Sequence, residues 1–181
     1  MKRKSGKRTR RARANPKRIL VPVDFSDSSA RALRHAAEEA RNAGGSLTVV
    51  YVVPADYGWS GIGRDESSEL DHSLQRQAAN RLRSFANEHI APDVDANLEV
   101  RIGRPAEEII AATRESKCDL IVLSTRGLTG LDRHLMGSVA DRVARLAPCP
   151  VLLMRPGKRS PGKKKGSSRV MRFKREAKQA G

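Results

Sequence analysis

The sequence predicts an α/β domain built as a three-layer, doubly wound parallel sheet of five strands. Three observations carry that expectation. Short β-branched runs alternate with helical patterns in the order β-α-β-α-β-α-β-α-β. Runs such as DLIVLS (119–124) are apolar on both faces, as strands covered by helices on two sides must be. The 181 residues suffice for one domain with a sizeable core. Right-handed crossovers then restrict the topology to doubly wound orders.

The elements follow in turn. RILVPVDF (18–25) is a short, β-branched first strand. In 26–45, Ser26 or Asp27 can cap a helix whose Ala30, Leu33, Ala37 and Ala40 repeat at helical spacing. Gly44 and Gly45 stop it. SLTVVYVV (46–53) is the second strand, ended by Pro54, and 54–66 read as a loop. Residues 67–90 form a longer helix with Leu70, Leu74, Ala78, Leu82 and Phe85 near one face. ANLEVRIG (96–103) alternates like a strand. RPAEEIIAATRESK (104–117) is a helix with Pro105 in its first turn, where proline is tolerated. After the strand at 119–124 comes a glycine-rich stretch, STRGLTGLDRHLMGS (124–138). A short helix at 138–147 turns Val139, Val143 and Leu146 inward, and CPVLLMR (149–155) is the last strand.

The net charge of +16 is unevenly spread: +10 over 1–18, −4 over 19–154 and +10 over 155–181. Basic tails at 1–17 and 156–181 therefore flank a mildly acidic domain at 18–155. Their like charge and low apolar content predict disorder when free. Such tails suit electrostatic attachment to a polyanion: DNA, RNA or an anionic membrane surface. With Phe173 but no Trp or Tyr in them, base stacking is weak. Val170, Phe173 and Ala177 share a helical face that can fold on a partner.

No apolar run is long enough for a transmembrane segment, and the N-terminus lacks the apolar stretch of a secretory signal. A mitochondrial transit peptide would also be Arg-rich, but residues 1–18 lack the Leu or Phe of its apolar face. Cys118 and Cys149 make neither a disulfide framework nor a metal spacing and read as small buried or half-buried thiols. A reducing, cytoplasmic setting fits. His35, His72, His89 and His134 are scattered and read as solvent-facing.

Doubly wound sheets bind ligands beyond the carboxyl ends of their strands, where strand order reverses. Asp24 ends the first strand and the glycine-rich stretch follows the fourth, so both lie at that edge. Glycines allow close backbone approach and φ > 0. Gly137 and Ser138 begin a helix whose free N–H groups and dipole favour anions. Ser124 and Ser138 add hydroxyl donors, and Arg126, Arg133 or His134 can add charge. The stretch is neither a Walker A loop, since no Lys follows Gly137, nor a G-x-G-x-x-G turn. Plainer roles compete. Asp24 can cap the helix beginning near Ser28, and Ser138 can cap its own. Tyr57 and Trp59 can form an ordered surface loop or cover an adenine.

ILVPVDFSDSSARAL, GRPAEEII, DLIVLSTRGLTGLDRHLMGSVADRV and APCPVLLMR together resemble the universal stress protein family, from about Ile19 to Arg155. The resemblance implies an adenine-nucleotide α-hydrolase-like fold with strand order 3-2-1-4-5. It also implies ATP as ligand, with or without Mg²⁺. The family's ATP-binding branch carries G-x2-G-x9-G-[ST]; here Ser124 replaces the first glycine, followed by Gly127, nine residues, Gly137 and Ser138. Carried over by position, Asp24 would lie near the adenosine and contact ribose, and Val52 would meet adenine through its backbone. Gly127, Gly137 and Ser138 would hold phosphates, with Gly130 inside the nine-residue spacer. Homodimers through the last strand are implied as well.

No nucleophile–base pair, metal cluster or spaced carboxylate pair stands out. ATP hydrolysis needs a positioned water and usually Mg²⁺ with a carboxylate, so slow hydrolysis is the most the sequence supports. The reading is an ATP-binding stress-response regulator without dedicated catalysis. The alternative is a nucleic-acid-associated adaptor whose tails bind RNA or DNA while the domain serves as a dimerisation scaffold.

Overall fold

A computed structural model describes residues 16–55, 69–125 and 136–155. Nine elements alternate: β1 (Arg18–Val23), α1 (Asp27–Ala43), β2 (Ser46–Pro54), α2 (Glu69–His89), β3 (Asp95–Gly103), α3 (Pro105–Glu115), β4 (Leu120–Ser124), α4 (Ser138–Leu146) and β5 (Val151–Met154). All ladders are parallel and the strand order is β3-β2-β1-β4-β5. The basic tails, the loop after β2 and residues 126–135 lie outside the described residues.

Two cores sandwich the sheet because side chains alternate along each strand. Ile19, Val21 and Val23 join Leu47, Val49 and Val122 against α1 and Leu82 of α2. Leu20, Val50, Val52, Ile121 and Leu123 turn the other way, against α3 and α4. On α1, Ala32, Ala36 and Ala40 are fully buried, so the small side chains bring the helix close to the strands. Leu33 fills the space between and is also fully buried, which makes its truncation cost about 2–5 kcal/mol.

The turn chemistry at the amino end of the sheet is glycine-specific. Gly44 caps α1 at φ 60, and the Gly45 amide bonds back to the Ala40 carbonyl at 2.8 Å. A Cβ on Gly45 would lie 2.3 Å from the Lys17 carbonyl oxygen, so the crossing of these backbones excludes any other residue.

Several expectations change. The first strand ends at Val23, not Phe25, because Phe25 adopts φ 63 and breaks the extended run. Leu146 is 52% exposed rather than inward: it sits at the last residue of α4, beyond the reach of the core that buries Val143. Leu74 is likewise exposed at 41%, early in α2, while Leu82 further along is buried. The histidines divide. His35 and His89 are half-buried, and the His89 ring packs edge-on against Phe85 with centroids 4.6 Å apart. The side chains of His72 and His134 lie outside the described set. Among the described residues no helix is long and apolar enough to cross a membrane.

Candidate functional site

The chain reverses its direction of winding between β1 and β4. There the sheet opens toward its carboxyl end. Registered pairs between β1 and β4 are Ile19↔Leu120 and Leu20↔Ile121, whereas β1 stays paired with β2 as far as Val23↔Tyr51. The strands therefore part at the topological switch point, the place where sheets of this kind take ligands.

Asp24 follows the last residue of β1, at the carboxyl edge of the sheet. Its Oδ1 accepts from the Ser26 amide at 3.1 Å and from the Ser26 hydroxyl at 2.6 Å. The same Ser26 hydroxyl accepts from the Ser29 amide at 3.1 Å and is the N-cap of α1. Ser29 closes the turn, donating through its hydroxyl to the Ser26 carbonyl at 3.0 Å. Asp24 is therefore not the cap itself, contrary to one reading of the sequence. It orients the serine that caps, because a carboxylate two residues back fits the Asx-turn geometry.

Between them, Phe25 holds a left-handed backbone, a conformation that costs a non-glycine residue of order 1–3 kcal/mol. Its ring is held on several sides. Tyr51 lies 4.4 Å away and Phe85 5.3 Å, centroid to centroid, and the Arg81 guanidinium sits 4.1 Å from the ring centre. Aromatic and cation–π contacts of about 0.5–1.5 kcal/mol each offset the strain and fix the direction in which Asp24 leaves the sheet.

Val52 is buried and lies one residue past the last β1–β2 pair, Val23↔Tyr51, so it stands at the level of Asp24. On its far side it remains paired with Arg101 of β3.

Ser124 ends β4 opposite Met154. Thr125 then donates its amide to the Met154 carbonyl at 2.9 Å and accepts the Gly137 amide on its own carbonyl at 3.0 Å. The two ends of the glycine-rich stretch are thus pinned to each other and to β5. Gly127 and Gly130 fall within 126–135, outside the described residues, as do Arg126, Arg133 and His134.

Gly137, not Ser138, is the N-cap of α4; Ser138 is the exposed first residue of the helix. The first intrahelical bond runs from the Asp141 amide to the Gly137 carbonyl at 2.9 Å. The amides of Ser138, Val139 and Ala140 precede it, and glycine brings no side chain to cap them. Gly137 has φ −62, an ordinary value. A Cβ there would meet the Thr125 oxygen at 3.5 Å, a normal contact. The fold does not require glycine at this position.

Ser26, Ser29, Thr125 and Phe25 were not singled out as site residues in the sequence, although the D-x-S-x-x-S spacing of Asp24, Ser26 and Ser29 carries a capping signature. Arg31 was also missed. Its guanidinium donates to the Arg155 carbonyl at 3.2 Å, tying α1 to the end of β5. No group of three His, Cys, Asp or Glu that could hold a metal ion occurs among the described residues.

A parallel sheet in the order β3-β2-β1-β4-β5, packed by helices on both faces, defines a doubly wound α/β domain. The family model described as "Universal stress protein family" matches residues 15–155, and this chain belongs to that family. The chain is 36% identical over 151 residues to universal stress protein MJ0531 of Methanocaldococcus jannaschii, covering 79% of this chain and 84% of that protein. Among solved structures it is similar to the hypothetical protein MJ0577, with a TM-score of 0.68 at 25% identity, covering 78% of this chain and 97% of the other. It is also similar to the universal stress protein from Archaeoglobus fulgidus in complex with dAMP. The TM-score there is 0.53 at 28% identity, covering 75% of this chain and 94% of that one.

Proposed function

We propose that this protein binds an adenine nucleotide, ATP, at the β1–β4 switch point and acts as a cytoplasmic stress-response regulator without dedicated catalysis. The observation that carries this reading is the amino end of α4, presented without a side-chain cap by a glycine anchored to Thr125, at the same carboxyl edge of the sheet as Asp24. The dAMP complex of a relative from Archaeoglobus fulgidus supports the ligand class.

In this reading Asp24 contacts ribose and the Val52 backbone meets adenine. Ser124, Gly127, Gly130, Gly137 and Ser138 surround the phosphates, which the α4 dipole and its amides favour. Mg²⁺, when bound, would neutralise phosphate charge. Hydrolysis is at most slow. The domain spans 18–155, with the tails 1–17 and 156–181 outside it.

Isothermal titration of the full chain with ATP tests the proposal: saturable binding is expected, weakened by Gly137→Val. Absence of heat with ATP, ADP and AMP, and no adenine nucleotide released from freshly purified protein by mass spectrometry, would sink it.

Dimerisation through β5 is part of the same reading. β5 is an edge strand, and Leu152 on it is 38% exposed. Analytical ultracentrifugation should give a dimer, and only monomer at micromolar concentration would count against it. The nucleic-acid adaptor rests on tail charge alone, and neither the fold nor the relatives add to it. Filter binding with and without the tails separates it from nucleotide binding.

A further inference from the structure

The two cysteines are thirty-one residues apart in sequence and adjacent in space. Cys118 follows α3 through a left-handed turn at Lys117, φ 49, and leads into β4. Cys149 leads into β5. Because β4 and β5 are parallel neighbours registered Ile121↔Val151, the residues just ahead of each strand fall side by side. The Ile121 amide donates to the Pro150 carbonyl at 3.0 Å and fixes that register beside Cys149. The sulfurs lie 3.6 Å apart, Cys118 buried and Cys149 half-buried.

We propose that Cys118 and Cys149 form a dithiol modification site, closing to an intramolecular disulfide when a low-molecular-weight disulfide such as oxidised glutathione reaches it. Cys149, the more exposed, loses its proton to solvent and attacks one sulfur of the reagent. A mixed disulfide forms and one glutathione thiolate leaves. The Cys118 sulfur, deprotonated in turn, attacks the Cys149 sulfur, forms the internal bond and expels the second glutathione. Two protein thiols are oxidised, one reagent disulfide is reduced, and the two protons end on the released thiols. The sulfurs must close from 3.6 Å to about 2.05 Å, a movement within the reach of the segments leading into two short strands.

The bond would close a covalent ring from 118 to 149. That ring contains β4, the whole glycine-rich stretch and α4. The inference does not depend on nucleotide binding.

The surroundings make the pair slow to react near neutrality. The Thr113 and Ser116 hydroxyls of the α3 end face Cys118, and the charged group nearest both is Asp119, itself paired with Arg18 of β1. Burial pushes the Cys118 thiol up, and burial with the neighbouring Cys118 pushes Cys149 up to about 12. The reactive thiolate therefore increases roughly tenfold per pH unit through the neutral and mildly alkaline range.

The test is oxidation of the folded, full-length protein with oxidised glutathione at several pH values, read by intact mass after alkylation. The expected result is loss of two hydrogens with no alkylation, reversed by dithiothreitol, with a rate climbing from pH 7 to 9. The thermal midpoint should rise by roughly 10 °C. Cys118→Ser should trap one glutathione on Cys149. Should that variant not fold, Cys149→Ala at the half-buried position should leave Cys118 unmodified. Thiols that stay alkylatable in the folded protein while the urea-unfolded chain oxidises would overturn the proposal. So would stable glutathione adducts on the native sequence, or disulfide-linked dimers in place of the internal bond.

Discussion

Two helices begin at the same edge of the sheet, and their amino ends are built in opposite ways. α1 is closed by its own side chains: Ser26 caps the Ser29 amide, and Asp24 holds Ser26. α4 begins at Gly137, which has no side chain to offer, and its position is fixed instead by a backbone bond to Thr125. The first arrangement satisfies a helix-end donor from within and orients the Asp24 carboxylate. The second holds the helix end in place with no side-chain cap of its own. An anion-binding end and a self-capped end are alternative uses of the same four orphan donors.

The sharpest way to break that comparison is Gly137→Val. With an ordinary φ and room for a Cβ, the variant should fold, losing about 1 kcal/mol at most from a poorer cap. ATP binding should weaken roughly 10- to 100-fold, the loss of one or two charge-assisted hydrogen bonds, as read by titration calorimetry. Unchanged affinity would mean that the α4 end is not used.

Ser26→Ala and Ser138→Ala form the next pair. Removing Ser26 deletes the α1 cap and the donor to Asp24 together, so urea unfolding should register a loss of about 1–2 kcal/mol. Removing the exposed Ser138 should change stability by less than about 0.5 kcal/mol while weakening ATP a few-fold. Equal effects of the two substitutions on stability would erase the distinction between the helix ends.

The smallest effect belongs to the opposite edge of the sheet, where no ligand is proposed and side chains saturate the backbone. Asp119 accepts from the Lys17 amide at 3.2 Å, the Arg18 amide at 3.0 Å and the Arg18 guanidinium at 3.0 Å. The Arg18 guanidinium first, then those amides, hold its carboxyl below the usual range. A depressed folded-state pKa contributes stability that is present above the unfolded value of about 3.9 and is lost as pH falls through the folded value. Since the pair is well exposed and screened by solvent, the contribution is small. Asp119→Asn should therefore lower the urea midpoint slightly at pH 7, a difference that shrinks as pH falls below the unfolded value of about 3.9.

Much of the frame was legible because period-two and period-3.6 patterns are local. Ala30, Leu33, Ala37 and Ala40 announce the buried face of α1, and all four are buried. Gly44 and Gly45 announce its end, for steric reasons the backbone crossing bears out. Leu146 was misread because the same periodicity holds at a helix terminus, where there is no core left to face. At the site, Asp24 and Gly137 could be placed at one edge from strand ends alone. The cap at Gly137 rather than Ser138 could not, since one residue of backbone geometry decides it. Nor could the turn at Phe25, whose left-handed backbone is held by Tyr51, Phe85 and Arg81 from distant elements.

By itself the sequence determined the alternation of strands and helices, the segregation of charge into two tails and the family motifs, since each is written in neighbouring residues. The tertiary structure decided what those residues meet. Parallel pairing of β4 with β5 put Cys118 against Cys149, and β1 parts from β4 ahead of Asp24. Both follow from strand register, which depends on contacts between segments far apart in the chain and leaves no local mark.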